Sequence, residues 1–256
     1  ALFGMEAYLA NHPAEIVAAV AGRKGSGDKG LTRDDKADFM QKVFHIILYV
    51  KNAKGLRNLY DLVTLSHCEY FYGKPLIPRE VLEAKREGLV VGSACERGEI
   101  YRLALELHTK RITQAEFEER ISHAAPLYDY FEIQPLANNL FYVAKGILQS
   151  EDDLKAINRR ICDEGARLGK PVAATGDVHV LDEHETLYRR ILHVGQDYEA
   201  GGDESDTPLF FRTTGEMLAE FAYLGDETAR AVVIDNPRRI IDAVESVSPI
   251  PSGFHP

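Results

Sequence analysis

The sequence lacks any apolar run approaching the roughly 20 residues needed to cross a bilayer. Its opening, ALFGMEAYLA, lacks the basic flank that precedes a secretory signal. Both absences predict a cytoplasmic chain with no membrane partner. Cysteine is scarce, and Cys68, Cys95 and Cys162 are widely spaced and odd in number, which argues against a disulfide framework and for a reducing compartment. Basic charge is also short, with 30 Lys and Arg against 40 Asp and Glu, a formal net charge of −10. A surface that grips duplex DNA by its phosphates normally carries the opposite excess, so this chain is not read as the main nucleic-acid-gripping surface. Excess carboxylate is compatible with divalent metals. The glycine-rich run at 22–30 (GRKGSGDKG) lacks the Gly-Lys-Ser/Thr ending of a phosphate-cradling loop, and no strong strand feeds it. It reads as a flexible loop, with no cofactor-binding residues. No internal repeat is present.

What is there is ordinary for a soluble globular protein: 256 residues, 45% hydrophobic and 27% charged, enough for one sizeable core or one domain plus an appendage. Strand-like runs alternate with helical periodicity. Residues 44–50 read as a strand, and Leu56, Leu59, Leu62, Val63 and Leu65 fall at helical spacing over 54–67. A turn-rich stretch holding Tyr70, Phe71 and Tyr72 follows, then a helix at 79–86, a strand at 89–91 and a helix over about 98–109. Thr113 and Glu116 form a capping-box pattern. Residues 128–134 read as an alternating strand, 150–168 as a long amphipathic helix with a Ser cap and a Gly169 stop, and 171–174 as a strand. Helices are predicted at 183–194, 214–223, 226–233 and from 235 to before Ser248, with a polar loop at 195–208 and a linker-like tail. Repeated β-then-α order favours a parallel sheet or barrel.

Several strand-like runs contain or end in residues that ligate metals. In ATGDVH, Asp177 and His179 lie two residues apart, and on an extended segment they would share a face. A strand end with a capping Asp and a surface His is an equal alternative. Glu6 and His45 each interrupt an apolar run and would cost free energy if buried unpaired. Cys95 ends a third run among small residues, where a thiolate could reach a metal. Each has a duller alternative: a paired strand carboxylate, a satisfied core histidine, a small buried hydrophobe. Four such runs suit a barrel with a metal centre at one rim.

With these motifs placed, GMEAYL, FHIILYVKNAKGLRNLYDLVTLSH, EYFYGKPLIPREVLE, EGLVVGSACERGEIY, YDYFEIQP, GKPVAATGDVHVLDEHETLYRRIL and FFRTTGEMLAEFAYLG resemble the PHP (polymerase and histidinol phosphatase) domain of bacterial replicative DNA polymerase III alpha subunits. The PolC type is the nearest pattern, and the resemblance spans 4–247. It implies an α/β fold, a distorted (β/α)7 barrel incomplete at its N-terminus, over 1–212, followed at 213–256 by helices leading into a polymerase core. It implies a cluster of divalent metals, Zn, Mn or Fe, with Glu6 as a bridging carboxylate and His45, Cys95, Asp177 and His179 as further ligands. Glu99 and Glu132 sit in matching motifs but are not taken as ligands. The pattern's opening His-x-His strand and next His-bearing strand would precede Glu6 and are absent, so the chain is expected to lack its natural beginning. Residues 10–43 are too few for the exonuclease often inserted there. Palm carboxylates and their Mg would lie beyond residue 256, so no catalytic residue for polymerisation is expected. DNA and other replisome subunits would be partners through the parent polymerase. The PHP segment itself would serve phosphoester hydrolysis, such as proofreading, or act as a metal-stabilised scaffold. A free-standing PHP phosphoesterase and a non-catalytic replisome interaction module are the alternatives.

Overall fold

Alternation of apolar and polar side chains along the first two strands fixes which face each buries, and that decides where the candidate ligands emerge. The structure, a computed structural model, describes residues 2–22, 38–195 and 207–249. The loops predicted at 22–30 and 195–208 and the tail after 249 therefore lie largely outside the described residues. The chain divides into two compact units, one formed by Ala1–Glu99, Leu127–Asp129 and Ile240–Pro256, the other by Ile100–Pro126 and Tyr130–Arg239.

The first unit is built on a four-stranded sheet of order β3-β1-β2-β4, with β1 at Gly4–Ala10, β2 at Val43–Val50, β3 at Leu76–Pro78 and β4 at Leu89–Gly92. In β2, Phe44, Ile46, Leu48 and Val50 are buried while His45, Ile47 and Tyr49 are half-buried, the two-residue period of a strand. β1 pairs antiparallel with β2, setting Tyr8 opposite His45 and Glu6 opposite Ile47, so these four side chains share the half-buried face. Leu9 and Ala7 bury the other face. The Ala53–Cys68 helix starts at an Asn52 cap whose side chain accepts from the Gly55 amide at 3.1 Å. It buries Leu59 and Leu62, as the periodicity predicts. Tyr70 and Tyr72 pack against a core of Ala10, Val17, Val20, Phe39, Val43 and Leu76.

The second unit holds a two-stranded parallel pair, β5 (Phe131–Ile133) with β6 (Val172–Ala174), joined through the Glu151–Leu168 helix. A parallel pair needs such a crossover. The helix begins at a Ser150–Asp153 capping box and ends at Gly169 in the left-handed region, φ 67°. Asn158 on its buried face donates to the Gln134 carbonyl at 3.1 Å and to the Tyr223 hydroxyl at 2.8 Å, tying in the later 3-10 turn Ala222–Leu224. The Thr113–Glu116 capping box opens the Gln114–Ala124 helix as predicted.

Four features differ from the sequence expectation. The chain is a mixed α/β fold, but among the described residues the strands form two separate sheets and no closed barrel. β2 runs antiparallel to both β1 and β4; hydropathy alternation reveals a strand and its buried face, not its direction. The strand predicted at 128–134 shortens to Phe131–Ile133, all three buried rather than alternating, because Asp129 instead exchanges backbone and side-chain hydrogen bonds with Val91 at 2.7 Å in the first unit. The last helix spans only Asn236–Asp242 and follows a π-helical turn at Ala231–Asp235. No helix among the described residues is long and apolar enough to cross a membrane.

Candidate metal centre

The register of β1 and β2 puts Glu6 diagonal to His45 on one face, within reach of a long side chain. Glu6 Oε1 lies 2.6 Å from His45 Nδ1, with the imidazole side chain 14% exposed and the carboxylate 46%. The Tyr8 ring meets the imidazole edge-on, centroids 5.1 Å apart. His45 is thus neither unpaired core nor open surface, and Glu6 is its carboxylate partner. Cys95 arrives from the loop after β4, its Sγ 3.5 Å from the same His45 Nδ1. Burial pushes the Cys95 thiol well above the usual cysteine range, and the Glu96 and Glu6 carboxylates add to the effect. Without a cation beside it this sulfur keeps its proton.

The Cys95 loop is tightly built. Ala94 adopts φ 59°, a left-handed conformation that costs a non-glycine residue about 1–2 kcal/mol. Gly98 passes so close to Ser93 that a Cβ would stand 1.9 Å from the Ser93 carbonyl oxygen. The Gly98 amide donates to the Cys95 carbonyl at 2.8 Å, and the His45 amide donates to the Arg97 carbonyl at 3.1 Å. Glu99 follows. Its carboxylate accepts from Asn11 Nδ2 at 2.6 Å, Arg79 Nη2 at 2.5 Å and the Tyr128 hydroxyl at 2.9 Å, while Arg79 Nε donates to Asn11 Oδ1 at 2.8 Å. Tyr128 is fully buried, and burial together with Glu99 raises its pKa well above the ordinary value, so it keeps its proton and donates. Sequence reasoning missed Asn11, Arg79 and Tyr128; the only local hint was a Glu in a Gly-Glu-Ile step leading into a helix.

In the second unit, Asp177 and His179 are adjacent for a different reason from the one predicted. Asp177 has φ 50°, so the segment is not extended and the shared-face argument fails there. The turn instead brings His179 Nδ1 to 2.7 Å from the Asp177 backbone oxygen and 3.8 Å from its Oδ1. Donation from Nδ1–H to that carbonyl leaves the lone pair on Nε2, the arrangement common in ligating histidines. The segment is fastened on both sides: Thr175 Oγ1 donates to Glu132 Oε2 at 2.9 Å, Asn138 Nδ2 to the Gly176 carbonyl at 3.0 Å, and the His179 amide to the Leu209 carbonyl at 2.8 Å. Glu132 is buried and engaged with this strap.

The first unit thus carries a carboxylate–imidazole–thiol face on its sheet, and the second carries an Asp-x-His turn. The family model for the PHP domain matches residues 1–135, and this chain belongs to the PHP domain family. It is 44% identical over 212 residues to DNA polymerase III PolC-type of Clostridium perfringens, covering 83% of this chain and 14% of that protein. It is 46% identical over 215 residues to the Caldanaerobacter subterraneus protein of the same name, covering 84% and 15%. It is 38% identical over 208 residues to that of Bacillus subtilis, covering 81% and 14%. The chain thus spans about one seventh of the length of these relatives.

Donor chemistry fits a divalent ion of borderline softness: carboxylate, imidazole and thiol in one unit, carboxylate and imidazole in the other. The contacts are pairwise: Glu6 and Cys95 each with His45 Nδ1, and Asp177 with His179. Among the described residues, no set of three or more His, Cys, Asp or Glu side chains is arranged to hold one ion.

Proposed function

We propose that this chain is the PHP portion of a PolC-type DNA polymerase III. The whole polypeptide would carry out template-directed DNA synthesis on DNA, with its Mg-dependent catalytic residues outside this sequence and other replisome subunits as partners. One observation carries the proposal. Identity of 38–46% extends over 208–215 residues, well beyond the 135 matched by the PHP family alone, and each relative bears the same name. A small free-standing PHP phosphoesterase is not favoured, because the shared sequence reaches past the PHP match.

Within that protein, Glu6, His45 and Cys95 in one unit and Asp177 and His179 in the other serve as ligands for Zn, Mn or Fe. The metal would lower the pKa of bound water and neutralise a phosphate oxygen. The chain's own part is to orient donors. Glu6 pairs with His45 Nδ1, Cys95 would lose its proton to solvent only with a cation beside the sulfur, and the Asp177 carbonyl fixes the His179 tautomer. The same donors support phosphoester hydrolysis or a metal-stabilised scaffold. The barrel of (β/α)7 type and the boundary between a PHP domain at 1–212 and connecting helices at 213–256 are part of this proposal.

Antibody raised against this chain should precipitate from native cells a polypeptide about sevenfold longer, since the chain spans 14% of its relatives. The precipitate should extend a primed DNA template. A native polypeptide of this chain's own length, without primer extension, would contradict the proposal and favour the free-standing enzyme.

A further inference from the structure

We infer that Glu99, held by Asn11, Arg79 and Tyr128, is a positioning residue that sets the loop at 93–98 so that Cys95 faces the Glu6–His45 pair. The inference rests on the proposed ligand role of Glu6, His45 and Cys95. Its structural half can be tested apart from that role.

Glu99 is 8% exposed, and each carboxylate oxygen is engaged, Oε1 by Asn11 and Oε2 by both Arg79 and Tyr128. A carboxylate so occupied is a tether rather than a ligand. Its three partners come from three places that surround the loop: Asn11 just past β1, the strand that carries Glu6; Arg79 just past β3; and Tyr128 in the segment fastened to Val91 of β4 through Asp129. The loop hangs between two fixed points. At one, His45 itself accepts the loop into the sheet edge, bridging Gly98 in parallel register and bonding the Arg97 carbonyl. At the other, Glu99 locks the residue directly after Gly98. Between them, Ala94 sits in a left-handed conformation and Gly98 packs on Ser93 without room for a side chain. A backbone held this tightly cannot adjust by rotamer alone, so Sγ stays 3.5 Å from Nδ1 only while the tether holds. The Arg79–Glu99 pair is mostly buried, at 14% and 10% side-chain exposure. Neutralising the acid leaves the Arg79 guanidinium, which also holds Asn11, uncompensated.

The test compares Glu99→Gln and Tyr128→Phe with the wild-type chain, after circular dichroism confirms the fold; Tyr128→Phe removes a single hydroxyl and serves if the first variant does not fold. Alkylation of each cysteine is followed by peptide mass spectrometry, with Cys162 of the other unit as the internal reference, its thiol pushed up to about 12 by burial. Cobalt(II) alone is titrated in parallel, reading its thiolate charge-transfer band. Expected are Cys95 labelling at least about tenfold faster with Cys162 unchanged, and cobalt affinity about 10–100-fold weaker, the loss typical when a ligand's support is removed. Unchanged Cys95 labelling, or equal acceleration at Cys95 and Cys162, overturns the positioning role. Faster labelling of Cys95 alone, with no thiolate–cobalt band even in wild type, supports positioning while overturning the ligand reading it would serve.

Discussion

Gly98→Ala is the substitution for which the structure sets the most definite cost. An added Cβ would meet the Ser93 carbonyl oxygen at 1.9 Å, the Cys95 carbonyl oxygen at 3.0 Å and the Ser93 carbonyl carbon at 3.1 Å. All three are backbone atoms of the same tight loop, so no side chain can swing aside, and the Ser93 carbonyl would have to retreat by about an ångström. Overpacking a site typically costs about 1–3 kcal/mol, and an immovable backbone neighbour places this one near the upper end, about 3 kcal/mol. That is a large share of the roughly 5–15 kcal/mol that holds a domain folded. With denaturant slopes of about 1–3 kcal/mol per molar urea, the midpoint should fall by about 1–3 M. Gly215→Ala is the control. Nothing lies within 4 Å of its Cβ position, and it sits in the first turn of the Thr214–Glu220 helix. There alanine should stabilise by about 0.5 kcal/mol, because the glycine's extra unfolded-state freedom is removed without strain. Urea unfolding followed by circular dichroism reads both. A Gly98→Ala unfolding free energy within about 0.5 kcal/mol of wild type would refute the close packing assigned to the Cys95 loop.

Cys95→Ser should weaken Zn binding most and Mn binding least, since thiolate is the soft donor; equal losses in paired titrations would argue against direct ligation. Because burial holds the Cys95 thiol protonated, metal binding through Cys95 would release that proton. Apparent affinity should then rise about tenfold per pH unit near neutrality, and calorimetry in buffers of different ionisation enthalpy would count the proton. Asp153 has its pKa lowered by the Gln149 amide and by His108, whose Nε2 is 2.8 Å away. A depressed native value means stability that is present above the unfolded carboxylate pKa of about 4 and lost as pH falls through the lower native value. Asp153→Asn should flatten that acid limb of the stability–pH curve and lower stability at neutral pH; an unchanged limb would show that the capping carboxylate is not the titrating group.

Much of the helical framework was legible in the residues, because its signals are local. Thr113 with Glu116, Ser150 and Gly169 mark helix ends within a few positions of the periodic apolar residues they serve. Strand existence was legible too, since Phe44, Ile46, Leu48 and Val50 alternate with His45, Ile47 and Tyr49. Strand direction was not, because antiparallel and parallel ladders use the same alternation. Candidate ligands could be named by type, and Glu6 and His45 do meet, but their contact depends on a register that only the folded sheet supplies. The proximity of Asp177 and His179 was anticipated for the wrong reason: a positive φ at a non-glycine residue has no reliable sequence signature. The Glu99 tether was invisible because Asn11 lies 88 positions away and Tyr128 lies 29 away.

We propose a metal-ligating role for Glu6, His45 and Cys95 in this PHP domain. Its most direct test is plasma mass spectrometry of the purified chain and of a His45→Ala/Cys95→Ala variant, each equilibrated with Zn and Mn and passed through gel filtration. The wild-type chain should retain near-stoichiometric metal and the folded double variant should lose most of it. Equal metal content in the two proteins would contradict the claim.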